Sequence, residues 1–251
     1  MKKMFLSTMA FACLMCVSCT ETEKKDPALV LYDEVANPET LNVLTAKQGQ
    51  QGWQLLFDGR TGNGWHGYNQ VGIPDFWVIE DGTMSSNSTG GGEEQDLITD
   101  KVYKSYAFTV EYKLTPNANS GIIYQLKEDP KYTFAYETGP EFQIGDHTGR
   151  QMNDIQMHGA NYGMYAPMEK PYLPIGEWNR LLILVNGFDV THVLNGVVVV
   201  KYTKYSDDWQ ALRDSGKWTD FPDYGKFDEG HISLQNHGSK VWFRDIKIKV
   251  L

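Results

Sequence analysis

Cysteine is confined to the first nineteen residues. Cys13, Cys16 and Cys19 are the three in the chain, and none follows. The body of the protein therefore cannot carry a disulfide framework, a Cys-ligated zinc or a thiol nucleophile. Its stability must rest on a hydrophobic core, which a domain of about 200 residues can supply. Positive charge is also scarce: 23 Lys and Arg stand against 32 Asp and Glu, a net charge of −9. No basic run is longer than the pairs Lys2-Lys3 and Lys24-Lys25, which argues against a nucleic-acid partner. Long apolar runs are missing as well. The longest, Met4 to Val17, falls short of the roughly 20 residues that cross a bilayer, so it reads as an export signal.

Val17 and Ser18 give the small-residue approach to Cys19 that a lipoprotein signal peptidase needs, although Cys16 stands where Leu is usual. The expectation is a signal peptide over 1–18 and an exported periplasmic or outer-membrane lipoprotein, with Cys19 carrying a lipid anchor. Ordinary secretion without lipid is the alternative. Residues 20–36 are polar with little periodicity and read as a tether. Asn37-Pro38 offers a helix start, and Thr45 can cap a short turn before Gly52. Tether and short helical segment thus fill 19–50, and one domain fills 51–251.

Aromatic residues are plentiful, with 7 Trp, 14 Tyr and 11 Phe. They suit sugar stacking and a sandwich core alike, and alone decide nothing. Alternation is more informative. In Tyr106 to Leu114 the rings and aliphatics take one face, while Ala107, Thr109, Glu111 and Lys113 take the other. Gly121–Leu126, Glu141–Ile144, Leu181–Val185 and Ile232–Gln235 read as further strands. Thr191–Leu194 and Val197–Tyr202 flank Asn195-Gly196, a pair suited to the positive φ of a tight hairpin turn. In Val241–Val250 the phase slips, which predicts a bulge near Asp245. Ser85 to Gly92 reads as a loop. Thr203–Gly230 is a long excursion without a strand, apart from a short helix over Asp207–Arg213 capped by Asp207. Many short strands with few helices predict an all-β, two-sheet antiparallel sandwich.

Several blocks in order carry a resemblance. They are Gly52-Trp53-Gln54-Leu55-Leu56-Phe57-Asp58-Gly59, Gly64-Trp65, Trp77-Val78-Ile79-Glu80-Asp81-Gly82, Asp96-Leu97-Ile98-Thr99 and Asn119-Ser120-Gly121-Ile122-Ile123. Gly139-Pro140-Glu141-Phe142-Gln143-Ile144, Gly176-Glu177-Trp178-Asn179 and Leu194-Asn195-Gly196 follow. Gly230-His231-Ile232-Ser233-Leu234-Gln235-Asn236-His237-Gly238 and Val241-Trp242-Phe243-Arg244 complete the set. Together they resemble the 3-keto-disaccharide hydrolase family. The resemblance implies a concanavalin A-like (laminarinase-like) jelly roll with a sugar site on its concave sheet. It also implies substrates already oxidised to a ketone at C3 by a separate sugar 3-dehydrogenase. Two departures stand out: Gln125 sits where relatives often carry a basic residue, and the run from His158 to Gly163 varies from the usual small residues.

Strand parity nominates the site. Phe142 and Ile144 point to the core, which leaves Glu141 and Gln143 opposite. Ile232 and Leu234 do the same for His231, Ser233, Gln235 and His237, and Glu111 also points off the core. Acids, amides and imidazoles on non-core faces suit a sugar-binding hollow. Direct glycoside cleavage needs two carboxylates at a set separation, and the Glu-x-Asp-x-x-Glu strand motif of many sandwich glycosidases is missing. A C3 ketone relaxes that need, because it acidifies C2–H. One base at C2 and one acid at the departing oxygen then suffice. The catalytic candidates are Glu141, with His237 or Glu111 as partner. Asn119, Gln143, Gln125, Gln235, Asp146, His158 and Trp65 are candidates for binding substrate. No cofactor is required by this chemistry. Asp146, His147 and His158 offer ligands for a divalent cation, and calcium is common in this type of sandwich, but their spacing fits no tight template. A carbohydrate-binding lectin-like module and a conventional endo-glycosidase using Glu111 and Glu141 are the competing readings.

Overall fold

The alternation seen in Tyr106 to Leu114 becomes a nine-residue strand at the centre of one sheet. The computed structural model describes residues 24–36, 39–87, 95–148 and 152–251. The expected signal peptide with Cys19, the Asn37-Pro38 pair and the Gly90-Gly91-Gly92 run lie outside the described residues. Two helices come first, α1 (Pro27–Val35) and α2 (Ala46–Gln50). The strands then run β1 (Trp53–Leu55), β2 (Trp65–Gly67), β3 (Trp77–Glu80), β4 (Thr83–Ser86), β5 (Leu97–Thr99), β6 (Tyr106–Leu114) and β7 (Asn119–Leu126). After them come β8 (Glu141–Gly145), β9 (Asn179–Asn186), β10 (Asp189–Leu194), β11 (Val197–Thr203), helix α3 (Asp207–Arg213), β12 (His231–Leu234) and β13 (Val241–Val250).

They form two antiparallel sheets. The larger has the order β11-β10-β9-β6-β13-β4-β3, with β1 also paired to β13; the smaller is β2-β5-β12-β7-β8. Between them lies the main core, where Tyr106, Phe108, Val110 and Tyr112 of the large sheet meet Ile122, Tyr124, Phe142, Ile232 and Leu234 of the small one. This is the predicted all-β sandwich. The hairpin turn forms as expected, with Asn195 at φ 47° and Gly196 at φ 79°.

The bulge also falls where the phase slips. Asp245 adopts φ 51°, and the register of β13 against β6 shifts between Arg244 and Lys247. The first half of β13 pairs with β4 and the second half with β1. The kink lets one strand serve two neighbours. Thr45 caps α2 with a full capping box, its side chain accepting from Gln48 N while Gln48 returns the bond.

Three details differ from the sequence reading. Residues 27–35 are a helix and not a loose tether. Asp26 accepts from Ala28 N at 2.8 Å, Pro27 occupies the first helical turn, and Ala28 and Val35 pack with Trp53, Ala107 and Leu184 on the outer face of the large sheet. Only nine residues long, α1 shows too little periodicity to be read without the sheet it covers. In α3 the cap is Ser206, whose side chain accepts from Trp209 N, with Asp207 one position inside. Ser85 and Ser86 complete β4, so the loop begins later than expected.

Candidate active site

The small sheet has an outer face of two characters. Tyr68, Ile98, Ile123, Leu126 and Ala135 form an apolar patch there, covered by the segment 132–138. Thr138 Oγ1 accepts from Lys127 N at 3.0 Å, and the Tyr132 hydroxyl donates to Asp223 at 2.7 Å, so both ends of the cover are pinned. Past its edge the same face turns polar. Parity carries Glu141 and Gln143 of β8, Asn119 of β7 and Gln235 after β12 to that side, while Phe142 and Ile144 enter the core. Gln143 pairs across to Gly121, and Gln235 N donates to Gly121 O at 2.9 Å. Gln143 Nε2 donates to Asn119 Oδ1 at 2.9 Å. Asp96, just before β5, accepts from Ser233 Oγ at 3.1 Å and from Asn236 N at 2.9 Å. A cleft of about 230 Å³ opens beside them, lined by Tyr68, Asp96, Tyr136, Gln235, Asn236 and His237 among others.

Glu141 is 4% exposed. Its carboxyl lies over Gly121: a Cβ there would come within 2.5 Å of Oε1 and 2.8 Å of Cγ. The glycine is needed for this close approach, not for an unusual backbone angle. Burial dominates the carboxyl's acidity and drives its pKa up. The Lys217 charge pulls it down, the Asp96 charge pushes it up, and a hydrogen bond from Gln235 pulls it down; the balance stands at about 8.

Lys217 comes from the long excursion. A 3-10 turn over Gly216–Asp220 presents it, and Trp218 beside it is fully buried, stacked on Tyr224 at 3.6 Å between ring centroids. Trp218 Nε1 donates to Gly163 O at 3.1 Å. Although the Lys217 residue as a whole is exposed, its ammonium sits 4.5–4.7 Å from the ring centroids of Trp218, Tyr162 and Tyr136. Desolvation lowers its pKa while the Glu141 charge raises it, and desolvation wins. Tyr162 reaches this place because residues 159–162 run along the free edge of β8, with Tyr162 N donating to Glu141 O at 3.0 Å and Gln143 N to Ala160 O at 3.0 Å.

Residues 52–249 match the model of the 3-keto-alpha-glucoside-1,2-lyase-like domain. The chain belongs to this family. It is 30% identical to a 3-keto-disaccharide hydrolase of Bacteroides thetaiotaomicron, across 93% of this chain and 90% of that one. A crystal structure of a proposed glycosyl hydrolase from Parabacteroides distasonis superposes with a TM-score of 0.77 at 38% identity, covering 84% of this chain and all of that one. A second from the same organism, at 23% identity and a TM-score of 0.63, shares the fold, covering 79% of this chain and 99% of that one.

Within this lyase-like domain the sequence candidates part company. Glu141, Gln143, Asn119 and Gln235 gather on one face, and His237 lines the cleft beside them. Glu111 does not join them. It projects from the outer face of the large sheet, on the far side of the core, where its oxygens accept from Arg180 at 2.8 Å and Arg244 at 2.7 Å. A two-carboxylate glycosidase built on Glu111 and Glu141 is thereby excluded. Trp65 is a core residue, 4% exposed, with Nε1 donating to Leu56 O at 2.7 Å. Gln125 is the extra residue of a bulge, at φ 51° and fully buried. Its amide donates to Asp228 O at 2.7 Å and accepts from Lys204 at 3.1 Å.

Asp146 and His158 line a different cavity of about 300 Å³ that shares no residue with the cleft. Asp146 is held by the amides of Asn117 and Thr148 at 2.7 and 2.8 Å; burial would raise its pKa, but these bonds outweigh it and the pKa falls. His158 pairs with the Tyr112 hydroxyl and stacks on Tyr172 at 5.1 Å, and burial lowers its pKa to about 3. Among the described residues no three His, Cys, Asp or Glu side chains gather to hold a metal.

The sequence reading missed Asp96, Tyr136, Tyr162 and Lys217. Asp96 was within reach, since it shares parity with the outward Ile98. Lys217 was not, because no periodicity in 203–230 signals where the excursion folds back.

Proposed function

We propose that the domain cleaves 3-keto-glycosides by elimination followed by hydration, with Glu141 as the base at C2. The observation that carries this reading is one buried carboxyl, its pKa raised by burial, hydrogen-bonded to Gln235, whose side of the sheet also lines the cleft. The relatives' names support the same substrate class. One is a hydrolase and the family is described as lyase-like; elimination with water returning afterwards satisfies both.

Glu141 carboxylate takes the C2 hydrogen as a proton, and the C–H electron pair becomes the enolate of the C3 ketone. The enolate re-forms the carbonyl as C1=C2 forms and the C1–O bond breaks. His237, at the cleft, gives the departing oxygen its proton. Water then adds at C1 and gives its proton to His237, while Glu141 returns its proton to C2, so both groups are restored and the sum is hydrolysis. Asn119, Gln143 and Gln235 hold sugar hydroxyls. The ketone itself must come from a separate oxidising enzyme, since nothing in these steps creates it.

A base must be ionised to act. With burial holding Glu141 near 8, about one-tenth is ionised at pH 7, and activity climbs as pH rises through the pKa. The expected profile of kcat/KM for aglycone release from a 3-keto-glucoside has its rising limb near pH 8. A limb in the ordinary carboxylate range near 4–5 would remove a buried Glu141 from the role.

A further inference from the structure

Resting on that elimination reading, we infer that the Lys217 ammonium is a catalytic residue that receives the C3 oxygen as the enolate forms. Removing the C2 proton puts negative charge on an oxygen two bonds away from the base's target. Glu141 is neutral once it holds that proton, and the nearby Asp96 carboxyl offers the new charge no stabilisation. A cation suits that oxygen, and the Lys217 ammonium is held by three rings, one of them Tyr136 of the cleft wall and another Tyr162, whose N–H donates to Glu141 O.

The construction of that box argues for purpose. Trp209, Trp218 and Tyr224 are buried to fix a 3-10 turn whose exposed residues include Lys217. The Tyr224 hydroxyl donates to Asn161 Oδ1 at 3.3 Å, tying the turn to the edge of β8 that also carries Glu141. Ring faces attract a cation and offset part of the desolvation that lowers the lysine's pKa. A charged donor that keeps its proton suits an enolate oxygen, which needs hydrogen bonding and positive charge but no proton transfer. A group serving the departing C1 oxygen would instead surrender its proton in each turnover. Lys217 therefore gives up nothing in the cycle: it donates a hydrogen bond as the charge develops and loosens it as the C3 carbonyl returns.

Two 3-keto-glucosides separate these roles, one with a methoxide leaving group and one with nitrophenolate. Deuterium uptake at C2 of the methyl glycoside reads enolate formation alone, and nitrophenolate release reads elimination that needs no acid. The expected result is that Lys217→Met lowers both by roughly 10²–10³-fold, while Lys217→Arg, which keeps the charge, recovers part of each. Near-UV circular dichroism checks the fold, and Lys217→Gln replaces the Met variant should that one fail to fold. Normal C2 exchange in the neutral variants, with methanol release alone impaired, would move Lys217 to the leaving oxygen and overturn the inference. Normal rates throughout would reduce it to packing and overturn it equally. Full exchange in Glu141→Gln, by contrast, would sink the base assignment itself, whatever Lys217 does.

Discussion

Replacing Glu141 by Gln is expected to lower aglycone release from a 3-keto-glucoside by roughly 10³-fold or more, within the range that general bases supply. The amide fits the space over Gly121 and can still pair with Gln235, but it cannot take a proton. Folding should not suffer. In the wild type the unfolded chain ionises this carboxyl in the ordinary range, while the folded chain keeps it protonated to about pH 8. Stability therefore falls as pH rises through that window. The Glu141→Gln variant has no such group to ionise, so above pH 8 it should melt higher than the wild type. An inactive variant with a raised alkaline melting temperature is the combined signature; retained activity, or lost folding, contradicts it.

Glu111→Gln should show the reverse pattern. Arg180 is 5% exposed and divides its guanidinium between Glu111 and the fully buried Asp245, which also contacts Lys247 at 2.8 Å. Asp245 is further tied to Asn42 through paired bonds of 2.9 and 2.7 Å between side chain and backbone. Neutralising one acid leaves two arginines sharing less negative charge in a poorly solvated place. A loss of about 2 kcal/mol follows from the usual worth of charged hydrogen bonds, or a melting temperature lower by about 4–8 °C for a domain of this size. Turnover per folded molecule should stay within a factor of about two, a small change on the scale of 1.4 kcal/mol per tenfold. A hundredfold loss of kcat with unchanged melting would restore Glu111 to the chemistry.

The contrast between these two glutamates shows what alternation can and cannot reveal. Parity correctly turned both off the core, because a strand's side chains must alternate and the rings claimed the other face. It could not say which sheet each strand would join. Glu111 and Glu141 share parity but stand on opposite outer surfaces, and only the strand orders separate them. Asp245 was readable for a different reason, since a bulge interrupts the period itself. Gln125 was not, because its bulge falls where β7 offers no visible phase slip. Trp65 looked like a sugar platform, yet β2 places it inward and gives its neighbour His66 the outer face, paired with Asp100 at 2.7 Å. The least legible part was the wall over Glu141. Tyr136, Tyr162 and Lys217 come from three loops far apart in the chain, and no strand period links them.

The most direct measurement is the isotopic content of the sugar released in D₂O at early times, before free 3-keto-glucose exchanges unaided. Elimination and hydration exchange the hydrogen at C2, so the product should carry deuterium there, and the unoxidised glycoside should remain uncleaved. A product that retains its original C2 hydrogen, or equal cleavage of the unoxidised glycoside, would mean that the bond at C1 is broken by direct displacement and that Glu141 is not a base at C2.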